Sequence, residues 1–161
     1  MSVPPFILGI DPGSNHLGWC LLHEGAYDMS GVISAKKKDS LLQRRDYIRT
    51  ELYKVFQEVP PSPNTVMAIE DPMSRGIGTA KVLATIRTMA EEMGFNFGWA
   101  FLQVLPHEWH GMVYEEDGRR EGESVKDLAL RVANGLTKGR ITSEDESDAF
   151  WIAKYVFSKA R

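Results

Sequence analysis

Two acidic side chains of this 161-residue sequence stand where apolar segments end. Asp11 follows the apolar run 6–10 and precedes Pro12 and Gly13, which stop a strand. Glu70 ends a second apolar run, 66–69. A carboxylate at the tip of a buried strand is unfavourable unless a positive charge meets it, and a divalent cation is the simplest candidate. Both acids are therefore candidate metal ligands.

A second pair of acids, Asp145 and Asp148, lies near the start of a helix predicted from Ser143. Residues three apart share a helix face, so the two charges repel each other unless a cation neutralises them. Ser143 and Glu146 have the spacing of a capping box, which explains Glu146 but not Asp148. Carboxylate oxygens suit Mg²⁺ or Mn²⁺. Two such ions can activate a water and stabilise the leaving oxygen of a phosphodiester.

The order of strands and helices predicts how these acids come together. Strands are predicted at 6–11, 17–22, 27–34, 65–70 and 97–105. The first three are joined by short turns, which favours an antiparallel meander. The fourth follows a long helix, and a strand reached through a helical crossover usually lies parallel to its neighbour. Glu70 is therefore expected at the same edge of the sheet as Asp11.

Apolar stripes and breaker residues predict the helices. They are expected at 40–59, from the glycine-containing segment 76–78 to a stop at Gly94, and at 106–113, 124–136 and 143–159. Phe97, Trp99 and Phe101 alternate and are expected on one face of the last strand. The charged segment 114–123 is predicted to be a mobile loop. Trp109 is expected to be a core anchor.

Length and composition favour one domain spanning residues 1–161. We find no signal peptide and no apolar run of membrane-spanning length. The single cysteine, Cys20, cannot form an internal disulfide, so a core position and a cytoplasmic location are expected.

The net charge of −3 argues against a DNA-binding protein, but the charges are unevenly distributed. Residues 36–49 contain six basic and two acidic side chains, whereas the acids concentrate at 115–123 and 144–148. Arg75, Lys81 and Arg87 lie in a segment without any acid, and we expect them to contact the DNA backbone. Separate basic and acidic regions fit a phosphate-binding surface around an acidic metal site.

The ordered set of acids resembles the RuvC family of Holliday junction resolvases, within the RNase H-like superfamily. The matching segments are Gly9-Ile10-Asp11-Pro12-Gly13-Ser14 with Gly18, then Ala68-Ile69-Glu70, then Asp145-x-x-Asp148-Ala149. The resemblance implies an α/β, RNase H-like fold. Its five-stranded mixed sheet has three antiparallel strands, then two parallel ones, and is flanked by helices.

The resemblance also implies an activity and assigns roles to the acids. A homodimer would nick opposed strands of a four-way DNA junction, leaving 5′-phosphate and 3′-hydroxyl ends. Each active site would hold two Mg²⁺ ions, with Mn²⁺ able to substitute. Asp11 would bridge the ions, Glu70 and Asp148 would complete their shells, and Asp145 would bind an ion or orient the attacking water. Lys126 would contact a phosphate near the metals.

Two positions depart from the family pattern. Met73 stands where the family often has an aromatic residue that stacks at an opened junction, and we expect Met73 to contact DNA there. His110 stands where a lysine is often found. Together with the acidic segment 115–123, these departures suggest a divergent, phage-encoded member with a relaxed choice of branched DNA, acting in the cytoplasm of a bacterium or a phage-infected cell.

Other functions use the same residues. The four acids equally suit an RNase H-like nuclease for forks, flaps or RNA–DNA hybrids. A catalytically silent junction-binding protein is a second alternative, although the complete set of acids argues against it. An actin-like ATPase is a distant third, since Asp11-Pro12-Gly13 is similar to a phosphate-binding turn but no second glycine-rich loop follows.

Overall fold

The structure is a computed structural model that describes residues 3–13, 15–71, 77–116 and 118–161, without the side chains of 77 and 116. Five strands and five helices are found in these residues, with three successive strands first and three successive helices last. The strands are β1 (Phe6–Pro12), β2 (His16–His23), β3 (Ala26–Ser34), β4 (Val66–Glu70) and β5 (Ala100–Val104). The helices are α1 (Leu41–Glu58), α2 (Ile77–Asn96), α3 (Pro106–Glu116), α4 (Val125–Leu136) and α5 (Glu144–Lys159).

The strands form one mixed sheet in the order β3-β2-β1-β4-β5. The pairs β1–β2 and β2–β3 are antiparallel, whereas β1–β4 and β4–β5 are parallel. The sheet predicted from the sequence is therefore confirmed. Because β1 occupies the centre, the strand that ends in Asp11 is covered on both faces.

Two apolar layers cover the sheet, one on each face. Leu8 and Ile10 of β1 pack into a layer with the buried residues of α1 and α2, while Ile7 packs into a layer with α3, α4 and α5. The alternation follows from the period of two in a strand, which sends neighbouring side chains to opposite faces. Cys20 is buried in the second layer, as predicted.

Helix α5 lies unusually close to the sheet, and two glycines permit this approach. A Cβ atom on Gly9 would stand 2.1 Å from the backbone oxygen of Ala149, and one on Gly18 would stand 2.0 Å from that of Asp145. Real Cβ atoms do not approach backbone oxygens so closely. The absence of side chains at Gly9 and Gly18 therefore sets the position of the helix that carries the acids.

The predicted boundary between α2 and β5 was wrong. The helix continues past Gly94 to Asn96, and the strand begins only at Ala100. Gly98, with a φ of +76°, is the glycine that ends the helix. Its N–H donates to the carbonyl of Phe95, and the N–H of Trp99 donates to that of Gly94, which is the Schellman pattern.

The aromatic residues at this boundary still pack together, although they do not share a strand. Phe97 and Trp99 precede β5, and their ring centroids lie 5.4 and 4.5 Å from that of Phe56 on α1. Phe97, Trp99 and Phe101 therefore lie in one apolar layer, as expected, although only Phe101 belongs to the strand. The turn that ends α2, and not the alternation of a strand, places Phe97 and Trp99 there.

The acidic segment before α4 is shorter than predicted, because helix α3 continues to Glu116. The far end of the segment is attached to α4 by an ion pair. Arg131 donates from Nε and Nη2 to the two carboxylate oxygens of Glu123, at 2.8 and 3.1 Å. The segment is therefore anchored at its second end.

Within the described residues, no helix has the length and apolar character needed to cross a membrane.

The close approach of α5 predicts that Gly9→Ala destabilises the protein. The new methyl group would meet the backbone of Ala149, which cannot turn aside as a side chain can. We expect the free energy of unfolding to fall by about 3 kcal/mol, measured by denaturant melts.

Gly111→Ala is the matched control, because Gly111 lies in α3 with open space around its Cβ position. Replacing a helical glycine with alanine should raise the free energy of unfolding by about 0.5–1 kcal/mol. Equal stability of Gly9→Ala and the wild type would show that α5 does not depend on this contact.

Candidate active site

Asp11 and Glu70 leave the sheet side by side on neighbouring parallel strands. Ile10 of β1 pairs with Ile69 of β4, so the acidic residue that follows each of them lies at the same edge. Asp11 is paired on its other side with Gly18 of β2. Glu70 is only 6% exposed. The expected meeting of the two acids is therefore confirmed by the register of the sheet.

Helix α5 brings the other two acids to this edge. Ser143 caps the helix by accepting a hydrogen bond from the N–H of Glu146, as its sequence position predicts. The backbone of Asp145 lies against Gly18, the β2 partner of Asp11. Asp148, one turn further along, is 5% exposed. The helix thus points its first turn at the tip of β1.

The electrostatics of Asp11 show that all four acids share one environment. Burial of its carboxylate raises the pKa of Asp11 well above the ordinary value, and the negative charges of Asp148, Glu70 and Asp145 raise it further. Such coupling requires carboxylates at short range. The structure therefore brings together the four acids that the sequence singled out.

Asp148 lies beside a positively charged side chain, that of Lys126. Burial raises its pKa to about 6 against the lowering influence of Lys126, whose Nζ lies 3.4 Å from Asp148 Oδ2. Burial lowers the pKa of Lys126, but attraction to Asp148 and Asp11 outweighs it, so the net shift is upward. The lysine predicted to contact phosphate is thus placed at the acids, about half exposed.

The second oxygen of Asp148 indicates that the site fits a cation. Oδ1 is buried and accepts no hydrogen bond from any residue that the structure describes. A buried carboxylate oxygen without a donor is rare, because its desolvation is uncompensated. A metal ion at this edge would supply the missing interaction.

The arrangement is an open one. Among the described residues, no three acidic, histidine or cysteine side chains are grouped tightly enough to enclose one ion. Mg²⁺ typically takes one or two carboxylates and completes its shell with water and substrate phosphates. The four carboxylates therefore fit ions shared with a phosphate ligand better than a closed protein cage.

Trp109 is a member of the site that the sequence analysis missed. It was expected only as a core anchor, and it is indeed buried, with 1% exposure. Its indole Nε1–H also donates a hydrogen bond of 2.7 Å to Glu70 Oε2. One signal in the sequence could have found this contact. A tryptophan buried in a core needs an acceptor for its N–H, and Trp109 follows shortly after the strand that pairs with the strand of Glu70.

The residues expected to contact DNA differ in their surroundings in the structure. Lys81 is exposed on α2. Arg87 was expected to be offset by no acid, which was wrong: its Nη1 lies 2.9 Å from Oδ1 of Asp71, the residue directly after β4. Met73 and Arg75 lie outside the described residues.

The raised pKa of Asp148 predicts the pH dependence of stability. Between about pH 4 and 6 the folded protein binds more protons here than the unfolded chain, so stability is lost as the pH rises through 6. In EDTA at pH 7.5, Asp148→Asn should therefore raise the free energy of unfolding, by about 2 kcal/mol. Denaturant melts between pH 4.5 and 7.5 provide the measurement.

Glu144→Gln is the control for this change. Glu144 lies in the first turn of the same helix, where a negative charge is favourable to the helix dipole, and its half-exposed carboxylate lies 4.0 Å from Lys126 Nζ. Its replacement should lower stability by a few tenths of a kcal/mol. A loss of stability in Asp148→Asn at pH 7.5 would contradict the electrostatic account.

The ion pair of Lys126 predicts a further shift in the same carboxyl group. Lys126→Met removes the cation that lowers the pKa of Asp148, so this pKa should rise above about 6. A ¹³C-carboxyl NMR titration in EDTA measures it directly. Lys81→Met, which removes an exposed charge on α2, should leave the titration unchanged. A lowered Asp148 pKa in Lys126→Met would rule out the pairing.

Comparison with known proteins places the chain in a family. No protein-family model matches the sequence. A RuvC crossover junction endodeoxyribonuclease of Rickettsia bellii is 38% identical over 153 residues, which cover 91% of this chain and 93% of that protein. The RuvC of Rickettsia conorii is 28% identical over 153 residues, with the same coverage.

Solved structures agree in fold. Thermus thermophilus RuvC in complex with a Holliday junction substrate superposes with a TM-score of 0.76 at 17% identity, over 96% of this chain and 95% of that one. The yeast mitochondrial Holliday junction resolvase Ydc2 superposes with a TM-score of 0.63 at 11% identity, over 96% of this chain and 79% of that one. The identity of 38% extends over 91% of the chain, and the fold agrees over 96% of it. The chain therefore belongs to the RuvC family and has its RNase H-like fold.

Proposed function

We propose that this protein is a Holliday junction resolvase, a metal-dependent endonuclease that nicks opposed strands of four-way DNA junctions. The observation that carries the proposal is the convergence of four acidic residues at one edge of the sheet, two of them, Glu70 and Asp148, being buried. Relatives that align with 91% of this chain are named crossover junction endodeoxyribonucleases. A single nuclease domain spanning residues 1–161 is part of the proposal.

The four acids would hold two Mg²⁺ ions, for which Mn²⁺ could substitute. Asp11 would contribute to both positions, because it lies between the strand that carries Glu70 and the helix that carries Asp145 and Asp148. Bound ions would activate a water and stabilise the leaving 3′-oxygen, so that 5′-phosphate and 3′-hydroxyl ends result. The protein contributes the positions of the carboxylates and the exclusion of bulk water by the buried edge.

Lys126 would serve the substrate as well as the site. Its Nζ stands beside Asp148 while about half of the side chain remains exposed, so a phosphate arriving at the acids would meet the ammonium group. A positive charge here offsets part of the repulsion between the acids and DNA. Asp145 would hold a ligand position or orient the attacking water.

A homodimer is part of the proposal, because opposed nicks in one junction require two active sites. Helix α2 supports this assembly. Ala80, Ala84 and Thr88 recur every four residues along α2 and are all exposed. Such a stripe of small side chains allows the helix of a second copy to approach closely. Lys81 on the same helix would contact DNA, and the cytoplasm of a bacterium or phage-infected cell would supply the junctions.

Cleavage of a labelled four-way junction tests the proposal. We expect paired symmetric nicks in Mg²⁺ and Mn²⁺, and none in EDTA, with a fork, a flap, an RNA–DNA hybrid and a linear duplex cut more slowly. Asp148→Asn should lower the cleavage rate about a thousandfold, because a metal ligand is lost and metal stabilisation of the transition state is worth several kcal/mol.

The matched control for cleavage is again Glu144→Gln, which removes an acid from the same helix turn that is not one of the four carboxylates and whose Oε2 lies 4.0 Å from Lys126 Nζ. It should cut at nearly the wild-type rate. Equal cutting of every branched substrate would replace the resolvase with a general branch nuclease. Tight junction binding without any cutting would indicate a non-catalytic binding protein.

A further inference from the structure

The hydrogen bond between Trp109 and Glu70 connects the protein core to the candidate metal site. Trp109 lies in the apolar layer formed by α3, α4 and α5. Its indole Nε1–H reaches Glu70 Oε2 at 2.7 Å, and both residues are buried. The ring is therefore immobilised by packing on its faces, while its one polar atom contacts a carboxylate of the site.

The helix that carries Trp109 is fixed at its start. Glu70 pairs with Val104 at the end of β5, and α3 begins two residues later. The N–H of Leu105 donates to Glu108 Oε2 at 2.7 Å, and the Tyr155 hydroxyl donates to Glu108 Oε1 at 2.9 Å. These contacts hold the first turn of α3 against both the sheet and α5. The indole is thus held at a set distance from the tip of β4.

An indole N–H has the chemistry needed to orient a carboxylate. The terminal torsion of a glutamate is soft, so its carboxylate plane rotates unless a partner holds it. The indole group is a donor only and does not titrate in the working pH range. It can therefore hold one oxygen of Glu70 without competing for a cation as a second acid would.

We propose that Trp109 is a positioning residue that orients the Glu70 carboxylate for metal binding. The inference rests on the proposed function in one respect, namely that Glu70 is a metal ligand. Partners that orient ligating carboxylates typically change metal affinity or activity 10- to 100-fold when they are removed. Trp109 would thus act through Glu70 and need not touch the substrate.

Trp109→Phe tests the proposal, because it keeps an aromatic ring in the core and removes the N–H. Trp151→Phe is a matched control: Trp151 is also fully buried in the same layer, but its Nε1–H donates to the Ala129 carbonyl at 2.9 Å, away from the site. Mn²⁺ affinity of the DNA-free protein is measured by calorimetry. We expect about tenfold weaker binding in Trp109→Phe and unchanged binding in Trp151→Phe.

Cleavage and junction binding separate positioning from general damage. In Trp109→Phe the Mg²⁺ concentration for half-maximal cleavage should rise about tenfold, the rate at saturating Mg²⁺ should largely recover, and junction affinity in EDTA should be unchanged. Mn²⁺ affinity within twofold of the wild type, or an equal loss in both phenylalanine variants, would overturn the proposal. If Glu70→Gln leaves Mn²⁺ affinity unchanged, the proposed function itself is wrong about Glu70.

A measurement on the unaltered protein keeps the test decisive if a variant does not fold. The chain has four tryptophans, so its indole N–H groups give four NMR signals. On titration with Mg²⁺ the signal of Trp109 should shift, because its acceptor would gain a cation, while that of Trp151 should stay in place. An unmoved Trp109 signal at saturating Mg²⁺ would contradict the proposal.

Discussion

Four carboxylates of like charge at one edge of the sheet, two of them buried, are the constraint on which the rest of the structure depends. Burial and mutual repulsion raise the pKa of Asp11, so ionising this site opposes folding. The two apolar layers on the sheet must supply the compensating stability. The approach of α5, permitted by Gly9 and Gly18, places that packing next to the charges. Stability and chemistry therefore depend on the same contact between helix and sheet.

The neighbours of the four acids satisfy them only in part. Lys126 offsets Asp148 from the solvent side, and Trp109 donates to Glu70 from the core side. One oxygen of Asp148 has no donor among the described residues. The edge thus keeps a net negative charge that suits divalent cations. Cations bound there would lie between the carboxylates and a phosphate backbone, so the net charge of −3 does not prevent the approach of a phosphate backbone.

The sequence predicted most of the strands, the cap at Ser143 and the positions of the four acids, because these features depend on local periodicity. The order of the strands in the sheet followed from the resemblance to a known family. It failed where local signals compete. Gly94 and Gly98 both offer a stop for α2, and only packing of Gly94 near Met67 and the hydrogen bonds around Gly98 select the second. Similarly, no local pattern pairs Arg87 with Asp71.

By itself, the sequence determined which segments form the central buried strands and which acids end them, since hydrophobic alternation and turn residues act over a few positions. It did not determine every buried residue, because Leu42 and Leu136 lie on predicted apolar stripes and are 57% and 51% exposed. Only the tertiary structure decided which side chains meet. Trp109 and Glu70 are 39 residues apart, and Lys126 and Asp148 are 22 apart. Periodicity records the face that a residue presents, but the partner across the interface depends on how separate elements pack. The surroundings of each acid are therefore a property of the fold.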